Sequence, residues 1–291
     1  MFPKVPDYHK PNRPLVPNGL GVIYVLASIT YLFLLHGFGL AEFEASSSVS
    51  PALTLAVCIL VGGFMGLLDD WMDLRWRYKV FFPLIAAIPL VTLATRLGLR
   101  TSITMPLLGA VDFDVYYYFL ILPLIVTVAA NTVNQLGGLN GLETICPSIV
   151  MMGIMVISGE NLILLVVPLI VWLVLATLNF QGKIFVGNTG SFAVGMTLAA
   201  FAIISDLKSS LLISILPYIV NSALILLSYF LYGTKARVTF DGEKLHSNHV
   251  RSLVTLVTRN RPLTERQAMM AISLLTAAST SAAVVFQMIF L

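Results

Sequence analysis

Asp69, Asp70 and Asp73 stand together in the stretch GLLDDWMDLRWRYK, residues 66–79, with Arg75, Arg77 and Lys79 directly behind them. Adjacent carboxylates with a third nearby offer the oxygen ligands that Mg²⁺ prefers, or a base. Like charges side by side cost energy unless a cation or a reaction uses them. A solvated helix end would carry the same acids, and the basic trio would also serve as a topology signal. A second cluster, NTVNQLGGLNGLE at 131–143, sets Asn131, Asn134 and Asn140 among Gly137, Gly138 and Gly141. Asparagine offers a carbonyl to a metal and an amide to a base or sugar, and glycine lets backbone approach a ligand. An asparagine cap with a glycine turn is the plainer reading, but so many of both in one run exceed what a cap needs.

Two weaker signals follow. KIFVGNTGS, residues 183–191, carries Phe185 and Asn188 where Gly187 to Ser191 open a new helix. A helix N-terminus can receive a phosphate, although ordinary turns look the same, and Phe185 could stack on a base, though a phenylalanine at the membrane interface is the more common explanation. The segment 232–266 holds Lys235, Arg237, Lys244, His246, His249, Arg251, Arg259, Arg261 and Arg266. It reads either as a clamp on a polyanion or as a basic loop against anionic lipid. His36, Glu42, Glu44 and Glu160 are isolated, and no chemistry is assigned to them.

The elements that must position these groups are membrane helices. Of the 291 residues, 58% are hydrophobic and 11% charged, whereas soluble domains carry about 25% charged residues. Spans of about 20 apolar residues are expected at nine places, centred near Leu26, Leu60, Ile88, Leu122, Met151, Ile170, Leu198, Val220 and Ala278. The fold class expected is therefore an all-α polytopic membrane protein, one domain over 1–291. Residues 1–18 are polar and proline-rich, without the apolar core of a signal peptide. Cys58 and Cys146 lie in apolar runs and suggest no disulfide framework. The net charge of +3 gives no case for nucleic acid, and no internal repeat suggests a transporter.

Basic residues set the orientation. Arg96, Arg100 and Lys208 fall on one side; all the others of the 17 fall on the side of 1–18, 69–79, 131–141, 181–189 and 233–266. That side is expected to be cytosolic, so every polar motif opens there. The opposite loop, 96–113, alternates enough for a small hairpin, and Tyr116, Tyr117 and Tyr118 follow it as an aromatic belt would.

Together the motifs resemble the polyprenyl-phosphate N-acetylhexosamine-1-phosphate transferase family. DDWMDLRWRYK followed by FFPLIAAIPL, then NQLGGLNGLE and RPLTERQ, are similar to its eukaryotic and archaeal dolichyl-phosphate GlcNAc-1-phosphate transferase branch. The resemblance implies that Asp69 and Asp70 lie at the reacting phosphates and that Lys79 binds phosphate. It makes Asn134 a Mg²⁺ ligand, with Mn²⁺ as an alternative ion. Gly138 and Asn140 would line a uracil site and Phe185 would stack on it. Lys235 and Arg237 fall near the family's phosphate-binding arginines, and His249 and Arg251 belong to the same basic loop. Asn188 falls where the family usually has an aspartate ligand, so the metal site would lose a charge. The family usually has about ten spans against nine counted here.

The implied reaction moves a sugar 1-phosphate, taken as GlcNAc-1-phosphate, from a UDP-sugar to a polyprenyl or dolichyl phosphate and releases UMP. This is the first step of lipid-linked oligosaccharide synthesis for N-glycosylation. The implied setting is the archaeal cell membrane or the endoplasmic reticulum membrane, with membrane lipid around it, and a homodimer is allowed. The rivals are a catalytically weak homologue and a lipid-linked sugar flippase or binding protein. A flippase would place polar groups mid-membrane, and here they gather at one face. An intramembrane prenyltransferase would need a second Asp-rich motif, and 131–143 contains no Asp.

Overall fold

The computed structural model describes residues 2–40, 49–106, 109–233 and 238–290. Lys235, Arg237, Glu42 and Glu44 lie outside the described residues. A short antiparallel pair, β1 (Lys4–Pro6) and β2 (Leu15–Pro17), precedes helix α1 (Gly21–Gly37). Then come α2 (Pro51–Met72), α3 (Trp76–Arg96) and a hairpin of β3 (Ser102–Met105) with β4 (Gly109–Asp112). A π-helical turn, Tyr117–Ile121, leads into α4 (Leu122–Gln135), followed by α5 (Leu142–Val156), α6 (Val166–Phe180) and α7 (Gly187–Ile204). The chain closes with α8 (Lys208–Ser214), α9 (Leu216–Tyr232), the pair β5 (Thr239–Phe240) and β6 (Leu245–His246), α10 (Leu253–Val257) and α11 (Glu265–Phe290).

All nine expected centres fall within these helices. Six segments are long and apolar enough to cross a membrane: α2, α3, Tyr117–Gln135, Gly159–Phe180, α7 and α11. The pair α8 and α9, bent by 58°, makes a seventh if it is one span. The remaining two, α1 with 17 residues and α5 with 15, are shorter. The chain is thus a helical integral membrane protein, with six or seven membrane-capable helices among the described residues. The hairpin expected in 96–113 is present. The tyrosine belt is only partly so, because Tyr117 is buried beneath Lys208 while Tyr116 stays exposed.

Helix α7 runs through the middle and packs on α1, α2, α3, α4 and α5. Its sequence, GNTGSFAVGMTLAAFAII, is mostly small, and it is buried almost throughout. Small residues let helix backbones approach in a membrane, where burial against lipid tails supplies no drive. The approach is closest near its start. A Cβ on Gly66 of α2 would stand 2.1 Å from the Asn188 carbonyl oxygen, and one on Gly21 of α1 would stand 2.2 Å from Gly190 Cα. No side chain fits at either place, so α1, α2 and the first turn of α7 are locked together.

Hydrogen bonds gather the polar motifs at one end of this bundle. They tie 7 to 140, 140 to 265, 70 to 188 and 134 to 191. At the other end, Thr104 of the hairpin donates its N–H to Ser209, and the Tyr118 hydroxyl donates to the Leu99 carbonyl.

Candidate active site

Asp69 and Asp70 close α2, and the helix sends them opposite ways. Successive residues are rotated by about 100°, so one carboxylate faces inward and the next outward. Asp69 is buried and pairs with Lys79 Nζ at 2.8 Å. Its Oδ1 accepts the N–H of Leu74 at 2.9 Å, while its carbonyl takes the N–H of Asp73, which turns into the left-handed region at φ 48°. Asp69 therefore ends α2, shapes the corner into α3 and holds Lys79. A further clamp comes from Asn131, whose Nδ2 donates to the Lys79 carbonyl and to the Thr127 carbonyl, both at 2.9 Å.

Asp70 is exposed, yet it is the group that covers the start of α7. Its Oδ1 accepts the Asn188 N–H at 2.9 Å; its Oδ2 accepts the Thr189 N–H at 3.0 Å and the Thr189 hydroxyl at 2.8 Å. A carboxylate at a helix N-terminus satisfies free N–H groups and meets the positive end of the helix dipole. Of the two readings left open for this helix start, the Asn188 and Thr189 N–H groups follow the plainer one, since Asp70 takes both. Gly187 makes room for it: at φ 71°, a Cβ there would stand 2.7 Å from Asp70 Oδ2.

Asn134 joins the same turn. Its Oδ1 accepts the Ser191 hydroxyl at 2.5 Å, and Ser191 lies one turn into α7. Asp70, Asn134 and Asn188 are thus drawn together around the first turn of α7, with oxygen donors predominating. Carboxylates and amide carbonyls retain further lone pairs beyond the bonds they make here.

The nucleotide-binding residues expected from sequence sit around the 137–141 turn. Gly138 is exposed at φ 100° with open space above it. It lines a cavity of about 230 Å³ with His9, Gln135, Asn221, Val238 and Ser252. Asn140 is buried, and Phe185 is half-buried, its backbone held by Pro17 and Leu20. Asn179, fully buried at the end of α6, ties the 141 turn to the segment that precedes Phe185. Its Oδ1 accepts the Gly141 N–H at 2.9 Å and the Thr144 hydroxyl at 3.1 Å, and its Nδ2 donates to the Ile184 carbonyl at 2.9 Å. Sequence reasoning passed over Asn179; a lone asparagine inside an apolar helix was the available signal.

The basic loop contributes backbone as well as charge. His249 Nδ1 is 3.2 Å from the Ser247 hydroxyl, and the Arg251 N–H donates to Thr255 Oγ1 at 2.8 Å. Ser252 and Val254 wall the cavity that Gly138 lines, so this loop closes over the same space. Asn221 fastens it, with Nδ2 on the Gln135 carbonyl and Oδ1 on the Leu253 N–H. At the hairpin tip the N–H groups of Lys244 and Glu243 point at Asp241 and hold its carboxyl below the usual range.

Asp7, His9 and Glu265, none of them expected, bring potential ligand atoms within 4.8 Å of one another. Asp7 also pairs with Lys10 at 3.2 Å, and both carboxylates accept from Asn140. Their oxygens are turned to an ammonium and an amide, the partners that a cation would have to displace.

Glycosyl transferase family 4 matches residues 52–206 of the chain. A Saccharolobus solfataricus protein provisionally named UDP-N-acetylglucosamine–dolichyl-phosphate N-acetylglucosaminephosphotransferase is 28% identical over 264 residues, covering 87% of this chain and 78% of its own. The Saccharomyces cerevisiae enzyme of that name is 26% identical over 265 residues, covering 74% of this chain and 58% of its own. A phospho-N-acetylmuramoyl-pentapeptide-transferase of Halalkalibacterium halodurans is 25% identical over 246 residues, covering 79% of this chain and 74% of its own.

Proposed function

The chain belongs to glycosyl transferase family 4, and from that membership we propose that it transfers GlcNAc-1-phosphate from UDP-GlcNAc to a polyprenyl or dolichyl phosphate. The observation that carries the reading is the meeting of Asp70 and Asn134 on the first turn of α7, beside the Asp69–Lys79 pair. The names of the archaeal and eukaryotic relatives support the substrates.

In this reading a lipid phosphate oxygen forms a bond to the β-phosphorus. The bond from that phosphorus to the α–β bridging oxygen breaks, UMP leaves with the oxygen, and a lipid-linked sugar diphosphate remains. Both substrates are polyanions, so the chain must offset their repulsion. Lys79, oriented by Asp69 and Asn131, supplies a fixed positive charge, and His249 and Arg251 of the basic loop are proposed to add to it. Asp70 either places a cation or takes a proton from the lipid phosphate. Gly138, Asn140 and Phe185 hold the uracil.

The oxygen donors of Asp70, Asn134 and Asn188 suit Mg²⁺, which prefers carboxylate, carbonyl and phosphate oxygen. When bound there, the ion would polarise the diphosphate and neutralise its charge. Positioning and charge neutralisation carry phosphoryl transfer, which suits an arrangement with little else in it. The reading includes one domain over 1–291 and nine spans, with α1 and α5 crossing as short helices. It also places the polar end in the cytosol, in the archaeal cell membrane or the endoplasmic reticulum membrane. The test is release of UMP from UDP-GlcNAc by purified protein given dolichyl phosphate and Mg²⁺. Nucleotide binding without UMP release would favour the binding-protein alternative.

A further inference from the structure

The polar cluster between the amino-terminal segment and α11 takes no part in the phosphate chemistry above. Its centre is Asn140, buried with 5% of its surface exposed. The Asn140 Nδ2 donates to Asp7 Oδ2 at 2.8 Å and to Glu265 Oε1 at 2.9 Å, and the Asn140 N–H donates to the same Glu265 oxygen at 2.7 Å. Carboxylates in this role only accept, so they decide which end of the amide faces them. The NH₂ is turned toward Asp7 and Glu265, and Oδ1 is left as a buried acceptor without a hydrogen-bond partner among the described residues. Such a group is costly unless something supplies a donor.

That oxygen borders Gly182, which brings no side chain of its own. Lys10 Nζ and Asn140 Oδ1 both lie within 3.5 Å of the point where a Cβ on Gly182 would stand. Lys10 Nζ lies 1.7 Å from that point and fills the space; it ends a long flexible chain and is paired with Asp7.

We propose that Asp7 and Glu265 are positioning residues that set nucleobase specificity. By holding the Asn140 NH₂ group they turn its carbonyl away from themselves and keep an acceptor for a base edge that displaces Lys10. A base with a ring N–H, as in uracil, satisfies it. A base with a bare ring nitrogen at the same place, as in cytosine, sets acceptor against acceptor. The inference rests on the reading that Gly138, Asn140 and Phe185 hold the base.

The test measures dissociation constants of UDP and CDP on the full chain in nanodiscs with Mg²⁺. The wild type is expected to prefer UDP. Glu265→Ala frees the amide to turn over, and the UDP/CDP preference is expected to fall by about tenfold, the effect of one unpaired buried group. Glu265→Gln keeps an acceptor and is expected to restore most of the preference. If Glu265→Ala does not fold, Asp7→Ala decides, since it leaves the Glu265 bonds in place; a severalfold fall is expected there. Alanine variants that weaken UDP and CDP equally, with the preference unchanged, would overturn the positioning role and leave the base site standing. A wild type without preference, or an Asn140→Ala variant that keeps it, would overturn the base site itself and the inference with it.

Discussion

Asp70→Asn separates the two tasks that the structure gives to one side chain. Asp70 covers the start of α7 with three hydrogen bonds, and it is the exposed carboxylate of the pair. An asparagine with its oxygen at the Oδ2 position keeps both bonds to Thr189, whose polar groups are buried and need them. It gives up the Asn188 N–H, which water can serve, and the charge at the helix N-terminus. Exposed charge–dipole terms run to about 0.3–1 kcal/mol, so the expected cost is about 1 kcal/mol. Asp70→Ala strips the Thr189 groups as well, and about 2–3 kcal/mol is expected. Activity should respond differently. If the charge acts on a reacting phosphate or its cation, both variants lose turnover by about a hundredfold or more, the scale for removing one electrostatic group. UMP release and denaturant unfolding of the same nanodisc preparations would read the two quantities. Turnover above a tenth of wild type in Asp70→Asn, or activity that merely follows stability across the two variants, would refute the catalytic assignment and leave Asp70 as a helix cap.

Asn188→Asp adds a carboxylate beside Asp70 and is expected to lower the Mg²⁺ needed for half-maximal UMP release, by up to about tenfold; an unmoved titration at full activity would remove Asn188 from the ligand set. Cysteines placed at Asn248 and Ser102 are expected to label from opposite sides of the membrane. Background should be low, because Cys58 and Cys146 are buried, and labelling of both from one side would overturn the topology.

Much of the architecture was legible without coordinates. Apolar runs and basic bias are sums over neighbouring residues, so they survive any arrangement of the helices; the nine centres and the gathering of polar segments at one end follow from them. The hairpin after α3 was legible for the same reason, since alternation is local. The division of labour between Asp69 and Asp70 was not. In sequence they are equivalent neighbours, and only the packing of α2 on α7 buries one against Lys79 and aims the other at Asn188 and Thr189. Asn140 was read as a ligand contact, but the two acids that orient it lie 133 and 125 residues away. Asn179 drew no reading from the sequence, yet it pins the 141 turn to Ile184. A side chain's type limits the bonds it can make; which of them it makes depends on partners brought near by helix packing, which no local pattern encodes.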